Sequence, residues 1–378
     1  MQNALLKIKV LDLTMNLPGP FMTWLMAEMG AQILKVEQPG TGDFARNFND
    51  PGRETYFPIF DTVNRGKKSI TLDLKQNADR ESLLELMKGY NIVVEGFRPG
   101  VLRKLGIDYA TVSKIYPDVI YVSISGYGQE GSYAKKGGHD LNYQALAGCF
   151  DSGCMEDATA FVPPVAMADI GGGSLFALTG LLAAIIERTT TGLGQHLDVS
   201  MVDGAFAFNV LSFCQMKKSR IQEKNEGHFL SGNQPFYYIY ETRDNRHMSL
   251  GAVEPKFWIA FCEAVSRNDL IPLQFGGQEV ISQVSKIFKT RTRSEWADLF
   301  NTIDACCEPV LSIKEVMQSD LCRERNFIKT DDHGDIVLNC PIKSMGEPLK
   351  KPGRTPDLGE YNDEVKRCPK NKKRSDPG

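Results

Sequence analysis

Short apolar runs recur along the first 125 positions, spaced by segments with a helical pattern. KVLDLT (9–14), QILKVE (32–37), SITLDL (69–74), NIVVEGF (91–97) and VIYVSIS (119–125) read as strands buried on both faces. Between the first two lies PFMTWLMAEMGA, with Pro20 suited to a first helical turn and Gly30 to a helix stop. ADRESLLELMKGY (78–90) is a second helix. Strands alternating with helices predict a parallel sheet covered on both faces, the α/β class. SLFALTGLLAAIIER (174–188) is apolar nearly all round and predicts a buried helix. TTTGLGQHLDVS, around 190–200, predicts a loop entering another element.

From about residue 220 the pattern changes. Two strand-like runs flank a polar turn at Asp244–Asn245, and helical stretches follow at 255–267, 280–289 and 293–303. A smaller α+β domain over 221–319 is predicted, with a solvated basic tail at 363–378.

A length of 378 residues allows one large domain or two with sizeable cores. A net charge of -3 gives no reason to expect nucleic acid as a partner. The nine cysteines contain no C-x-x-C pair, and adjacent Cys306 and Cys307 are poorly placed to bridge each other, so free thiols and no metal site are expected. No run approaches eighteen unbroken apolar residues, MQNALLKIKV lacks the layout of a signal peptide, and DPG is no peroxisomal address. The expectation is a cytoplasmic protein with no membrane partner.

Gly126, Gly128 and Gly131 follow the fifth strand with G-x-G-x-x-G spacing. A dinucleotide fingerprint needs a helix to follow at once, so that backbone N–H groups meet the pyrophosphate. Here SYAKKGGHD follows, without helical periodicity, and the first β-α-β unit turns on LPGPF instead. NAD chemistry is therefore not expected.

The same loop leads to His139, one of five histidines, with Asp140 placed to cap the next helix. Asp169 ends an apolar segment and precedes three glycines; burying such a carboxylate is costly unless it is paired, hydrogen-bonded or used. The glycines would let a ligand approach the backbone, and the N–H at Asp169 or just after it would hold a developing oxyanion. Glu254 stands before a Pro that starts a helix.

LTMNLPGPFMTWLMAEMGAQILKVEQPG, GKKSITLDLK, VVEGFRPGVLRKLG, ISGYGQEGSYAKKGGHDLNY and ADIGGGSLFALTGLLAAIIERTTTGLGQHLDVSM together resemble the class III CoA-transferase superfamily, over almost the whole chain. GHDLNY, YETRDNRHMSLGAVEP and TIDACCEPVL resemble its α-methylacyl-CoA racemase branch. The resemblance implies a Rossmann-like large domain (1–200, completed by 320–362), the smaller α+β domain, and an interlocked homodimer. It also implies an acyl-CoA substrate and no separate cofactor. By this match His139 and Asp169 are the catalytic bases and Glu254 orients His139. Thr71, Leu72, Asp73 and Leu74, and the loop Gly138, Asp140, Leu141, Asn142 and Tyr143, carry over as CoA-thioester contacts. Glu95, Phe97, Arg98 and Lys104 carry over near the pantetheine and phosphates. Gln38 stands where the racemases usually place an Arg against adenine, which removes a guanidinium stack.

Inverting a carbon beside a thioester carbonyl requires a base on each face, and imidazole exchanges protons near neutral pH. The resemblance thus implies racemisation of 2-methylacyl-CoA thioesters through an enolate, with Met201, Met216, Phe236, Tyr237 and Tyr238 available as an apolar floor. The alternative is a CoA-transferase with Asp169 as nucleophile, a chemistry that needs no base at 139.

Overall fold

The computed structural model describes residues 3–50, 55–150, 162–219, 228–346, 348 and 350–366. Their contacts divide the chain into two units, the first drawn from Met1–Cys149, Val162–Phe208 and Asn326–Gly378, the second from Asn209–Arg325.

The first unit is built on β1 (Lys9–Leu13), α1 (Pro18–Glu28), β2 (Gln32–Glu37), β3 (Lys68–Thr71), α2 (Asn77–Leu86), β4 (Ile92–Glu95), β5 (Ile120–Ser125) and β6 (His196–Ser200). All six strands are parallel, in the order β3-β2-β1-β4-β5-β6. Chain order reverses between β1 and β4, the place where open α/β sheets take ligands beyond their carboxyl ends. Val10, Ile33, Val94 and Val122 point into a core with α1 and a second long helix; Leu11, Leu34, Val93 and Tyr121 point into a core on the other face. Five of the strands lie where the apolar runs predict them. The sixth, His196–Ser200, replaces the expected loop.

The helix expected at 174–188 is longer and begins differently. A π-helical segment, Met167–Leu175, runs directly into α4 (Phe176–Thr191). This run is long and apolar enough to cross a membrane by length and composition alone. However, Ala177, Leu178, Leu181 and Ala184 are buried in the core of the unit, which is the packing of a core helix. The expected all-round burial is not met: Leu175, Phe176 and Ile186 on the other side are exposed in the single chain.

Glycines 171–173 serve helix packing. α5 (Met201–Ala207) crosses the π segment so closely that a Cβ added at Gly204 would lie 2.3 Å from the Gly172 Cα. Gly173 faces Met201 and Pro18, and Gly171 faces the Phe208 ring. The expected room for a ligand is therefore occupied by protein. Because backbone meets backbone there, Gly204→Ala is expected to destabilise the first unit by about 1–3 kcal/mol or more, read as an earlier urea midpoint. A wild-type midpoint would contradict this packing.

A buried ion network pins the end of β1. Lys67 Nζ lies within hydrogen-bond distance of four acceptors that share its three protons: Asp12 Oδ2 (3.1 Å), Thr23 Oγ1 (2.7 Å), Asn64 Oδ1 (2.8 Å) and the Pro20 carbonyl (3.0 Å). Burial pushes the Asp12 carboxyl up, but Lys67, Lys35 and two threonine hydroxyls more than offset it and hold it below the usual carboxylate range. Residues 326–366 pack on the same unit: Tyr361 N–H donates to the Ser69 carbonyl (2.9 Å), and Asn362 binds both the N–H and the hydroxyl of Thr71. The expected basic tail at 363–378 lies mostly outside the described residues; Asn362–Lys366 is a short helix whose Glu364 pairs with Lys68.

The second unit has a three-stranded antiparallel sheet of Tyr237–Glu241, His247–Gly251 and Cys307–Pro309, covered by helices Pro255–Ala264, Gly277–Phe288 and Arg293–Phe300. The hairpin turns at Asp244–Asn245, with Asn245 at φ +56°. Tyr240, Trp258, Phe261, Phe288 and Trp296 form its core. Phe236 belongs to this core and Met201 to that of the first unit, so neither is free to floor an acyl site. Cys306 and Cys307 are unbridged.

Candidate active site

A cavity of about 900 Å³ opens at the reversal point of the sheet, beyond the ends of β1, β2 and β3. Leu13, Val36, Leu72, Leu74, Phe97 and Val101 make its walls apolar, while Lys75 and Lys104 bring positive charge. That combination suits a ligand with an apolar arm and phosphates. Asn16 also lines it, in the left-handed region at φ +64°, where its N–H donates to Asp43 Oδ1 (2.9 Å). A non-glycine residue held so at the end of β1 marks a turn fixed by its surroundings.

The carried-over residues separate here. Gln38, Leu72, Leu74, Phe97 and Lys104 share this cavity. Thr71 is engaged with Asn362 instead. Asp73 organises the turn before α2: its carboxylate accepts from the Lys75 N–H (3.1 Å), Gln76 (3.2 Å) and the Gln38 side chain, which lower its proton affinity. Glu95 and Arg98 line a different cavity.

The loop after β5 shows what Gly126, Gly128 and Gly131 do. Gly126 leaves room for the Tyr143 ring, where an added Cβ would lie 2.4 Å from it; Gly128 and Gly131 adopt φ +82° and +90°. Turns follow, not a helix, so no N–H row faces a pyrophosphate. The loop ends at α3 (Asp140–Leu146). His139, not Asp140, occupies the capping position: its N–H donates to Asn142 Oδ1 (3.0 Å), and its side chain is exposed.

Asp140 is used elsewhere. Its Oδ1 accepts the Asp169 N–H (2.9 Å), and its Oδ2 accepts from Gln144. The residue beside His139 is thereby tied to the turn that carries Asp169. The expected oxyanion donors are occupied: the Asp169 N–H by Asp140, and the Ile170 N–H by the Ala166 carbonyl at 2.9 Å. Asp140 became a long-range acceptor because the π segment brings position 169 to the start of α3, which no local spacing could show.

Burial pushes the Asp169 carboxyl up to about 7, and the charge of Asp140 adds to the rise. Burial, then the charge of Asp169, pushes the Tyr143 phenol up to about 12; its hydroxyl donates to the Gly138 carbonyl. A carboxyl raised in this way is suited to exchanging a proton near neutral pH, and Asp140 ties its backbone N–H to the helix start that carries the exposed His139. Leu141 and Asn142 lie on the exposed side of α3.

Glu254, in the second unit, directly precedes Pro255 at the start of its helix and is exposed, with its carbonyl accepting the Phe257 N–H (3.0 Å). Among the described residues no cluster of His, Cys, Asp or Glu could hold a metal ion.

Residues 5–362 match the family described as CoA-transferase family III, and the chain belongs to that family. Human α-methylacyl-CoA racemase is 31% identical over 368 residues, covering 96% of this chain and 92% of the relative. A succinyl-CoA:mesaconate CoA-transferase of Haloarcula hispanica is 32% identical over 396 residues, covering 96% and 95%. Among solved structures, a CAIB/BAIF family protein from Brucella suis aligns with a TM-score of 0.81 at 25% identity, over 97% of this chain and 99% of that one. Family members are enzymes acting on CoA thioesters, and racemase and transferase relatives are similar to this chain to the same degree.

Proposed function

We propose that this protein racemises 2-methylacyl-CoA thioesters by two-base proton transfer through an enolate. The observation that carries this reading is Asp169: a desolvated carboxyl raised to about 7, tied through Asp140 to the helix start that bears His139. A general acid–base group works best with a proton affinity near the operating pH. A nucleophilic carboxylate needs the opposite, since protonation removes the attacking lone pair. The apolar and cationic lining of the cavity holding Gln38, Leu72, Leu74, Phe97 and Lys104 supports CoA binding to the same unit. Gln38 faces Asp73 there, so any weakening at the adenine end falls on affinity and not on the proton transfer.

The role of Glu254 in orienting His139 belongs to the same proposal, as do the homodimer and the cytoplasmic location. The exposed Leu175, Phe176, Ile186, Leu193, Phe206 and Phe208 of the first unit support the dimer, because such apolar surface is costly in water.

The second reading, a CoA-transferase with Asp169 as nucleophile, is supported by transferase relatives of equal similarity. Incubation with a 2-methylacyl-CoA in deuterated water tests the two. Deuterium entering the α-carbon without any acceptor acid is expected; CoA passing to a free carboxylate without exchange would overturn the racemase reading.

A further inference from the structure

A second cavity of the first unit, of about 630 Å³, lies over one face of β4, β5 and β6. The short helix Val101–Leu105 divides the two: Val101, Lys104 and Leu105 line the thioester cavity, whereas Leu102 and Arg103 line this one. Strand register builds its floor. Glu95 lies opposite Ser123, Ser123 opposite Asp198, and Tyr121 opposite His196, so all five side chains share one face. Ser123 and Glu95 are only 1% and 4% exposed. Ser123 Oγ lies 2.9 Å from His196 Nε2, and Glu95 Oε2 accepts the Phe97 N–H at 2.7 Å. The imidazole stacks on Tyr109 and meets the edge of Tyr121.

The other wall is the glycine-rich loop after β5. Its Gln129, Glu130 and Lys135 line the cavity. The Gln129 N–H donates to Asp198 (2.9 Å), but its side-chain Nε2 is buried with no hydrogen-bond partner. A buried donor left so costs free energy that an acceptor on a ligand would recover. Arg98 and Lys135 are exposed at the rim, while Arg103 lies 3.8 Å from Asp108.

We propose that this cavity is a second ligand site, separate from the thioester site, for a small carboxylate that also carries a hydroxyl or carbonyl group. The carboxylate meets Arg98 and Lys135; the second polar group accepts from Gln129 and reaches the Ser123–His196 pair. The site does not depend on whether the enzyme is a racemase or a transferase.

Binding is linked to protons. Burial pushes the Glu95 carboxyl up to about 7 against hydrogen bonds from Ser123 and the Phe97 N–H, and Asp198 adds to the rise. Burial lowers the His196 imidazole against the charges of Asp198 and Asp108, which favours its neutral form. A ligand carboxylate, with Asp108, Glu130 and Asp198 acting in the same sense and Arg98, Arg103 and Lys135 opposing, raises the proton affinity of Glu95 further. Above pH about 7 the complex therefore takes up a proton.

The test is calorimetric titration of the full chain with lactate, malate and citrate at pH 7.5, in two buffers of different ionisation enthalpy. At least one hydroxy acid is expected to bind with proton uptake. Glu95→Gln should remove the proton uptake, and Gln129→Ala and Lys135→Ala should each weaken binding by about tenfold. Lys135 is exposed, so its variant reads the site without disturbing the buried floor. Lys104→Ala should weaken CoA binding and leave the hydroxy acid unaffected. The proposal is overturned if no acid binds up to about 10 mM, if Lys104→Ala abolishes binding, or if inorganic phosphate binds as tightly, which would mark a simple cationic rim.

Discussion

Replacing Asp169 with Asn is expected to slow inversion of the α-carbon by roughly 10²–10⁴-fold, the usual contribution of a positioned acid–base group, while making the fold more stable above neutral pH. The two effects share one cause. Asp169 is desolvated and faces Asp140, so its proton affinity rises from the ordinary 3.8 to about 7. The unfolded chain ionises this carboxyl at lower pH than the folded chain does. Its contribution to stability is thus fully present below pH about 4 and is lost as pH rises through about 7. Asn carries no charge at any pH and escapes that loss. After allowance for partial exposure, the variant should exceed wild type by roughly 1–3 kcal/mol at pH 8 and match it at pH 4. Urea midpoints at the two pH values measure this. A variant less stable at pH 8 would mean that the carboxylate is held by donors, which would remove the argument for a proton-exchanging group.

The sheet was legible because parallel strands buried on both faces must be apolar throughout. KVLDL, QILKVE and IYVSIS carry that pattern without outside help. His196–Ser200 escaped because it is an edge strand in which exposed His196 and Asp198 alternate with Leu197 and Val199, behind a run of turn residues. Asp169 stood out as a carboxylate in apolar company, which is a local signal. What holds it was not local. Asp140 reads as a helix cap until the π segment brings an N–H from 29 positions away. Gly172 reads as space for a ligand until the backbone of Gly204 fills it. The Glu95, Ser123 and His196 cluster draws one residue from each of three strands, so only register assembles it.

Replacing His139 with Ala separates the two family chemistries most sharply. Inversion needs both bases, because the proton removed from one face of the α-carbon returns on the other. The variant should therefore lose inversion by roughly 10²–10⁴-fold, as Asp169→Asn does. Half of the chemistry survives in each variant, however. With Asp169 alone, the enantiomer whose proton faces the carboxyl still exchanges it with deuterated solvent and recovers its original configuration. Its mirror image, whose proton faces position 139, does not exchange. Asp169→Asn should show the opposite preference. Mass spectrometry of both enantiomers, run separately with both variants, reads this directly. His139 is exposed on a helix start fixed by Asn142, so its loss should leave the fold intact and the comparison clean. A transferase gives another pattern: covalent attack by Asp169 needs no imidazole on the far face, so His139→Ala would keep CoA transfer and neither enantiomer would exchange. Reciprocal exchange requires two bases on opposite sides of one carbon, and a single nucleophile cannot produce it.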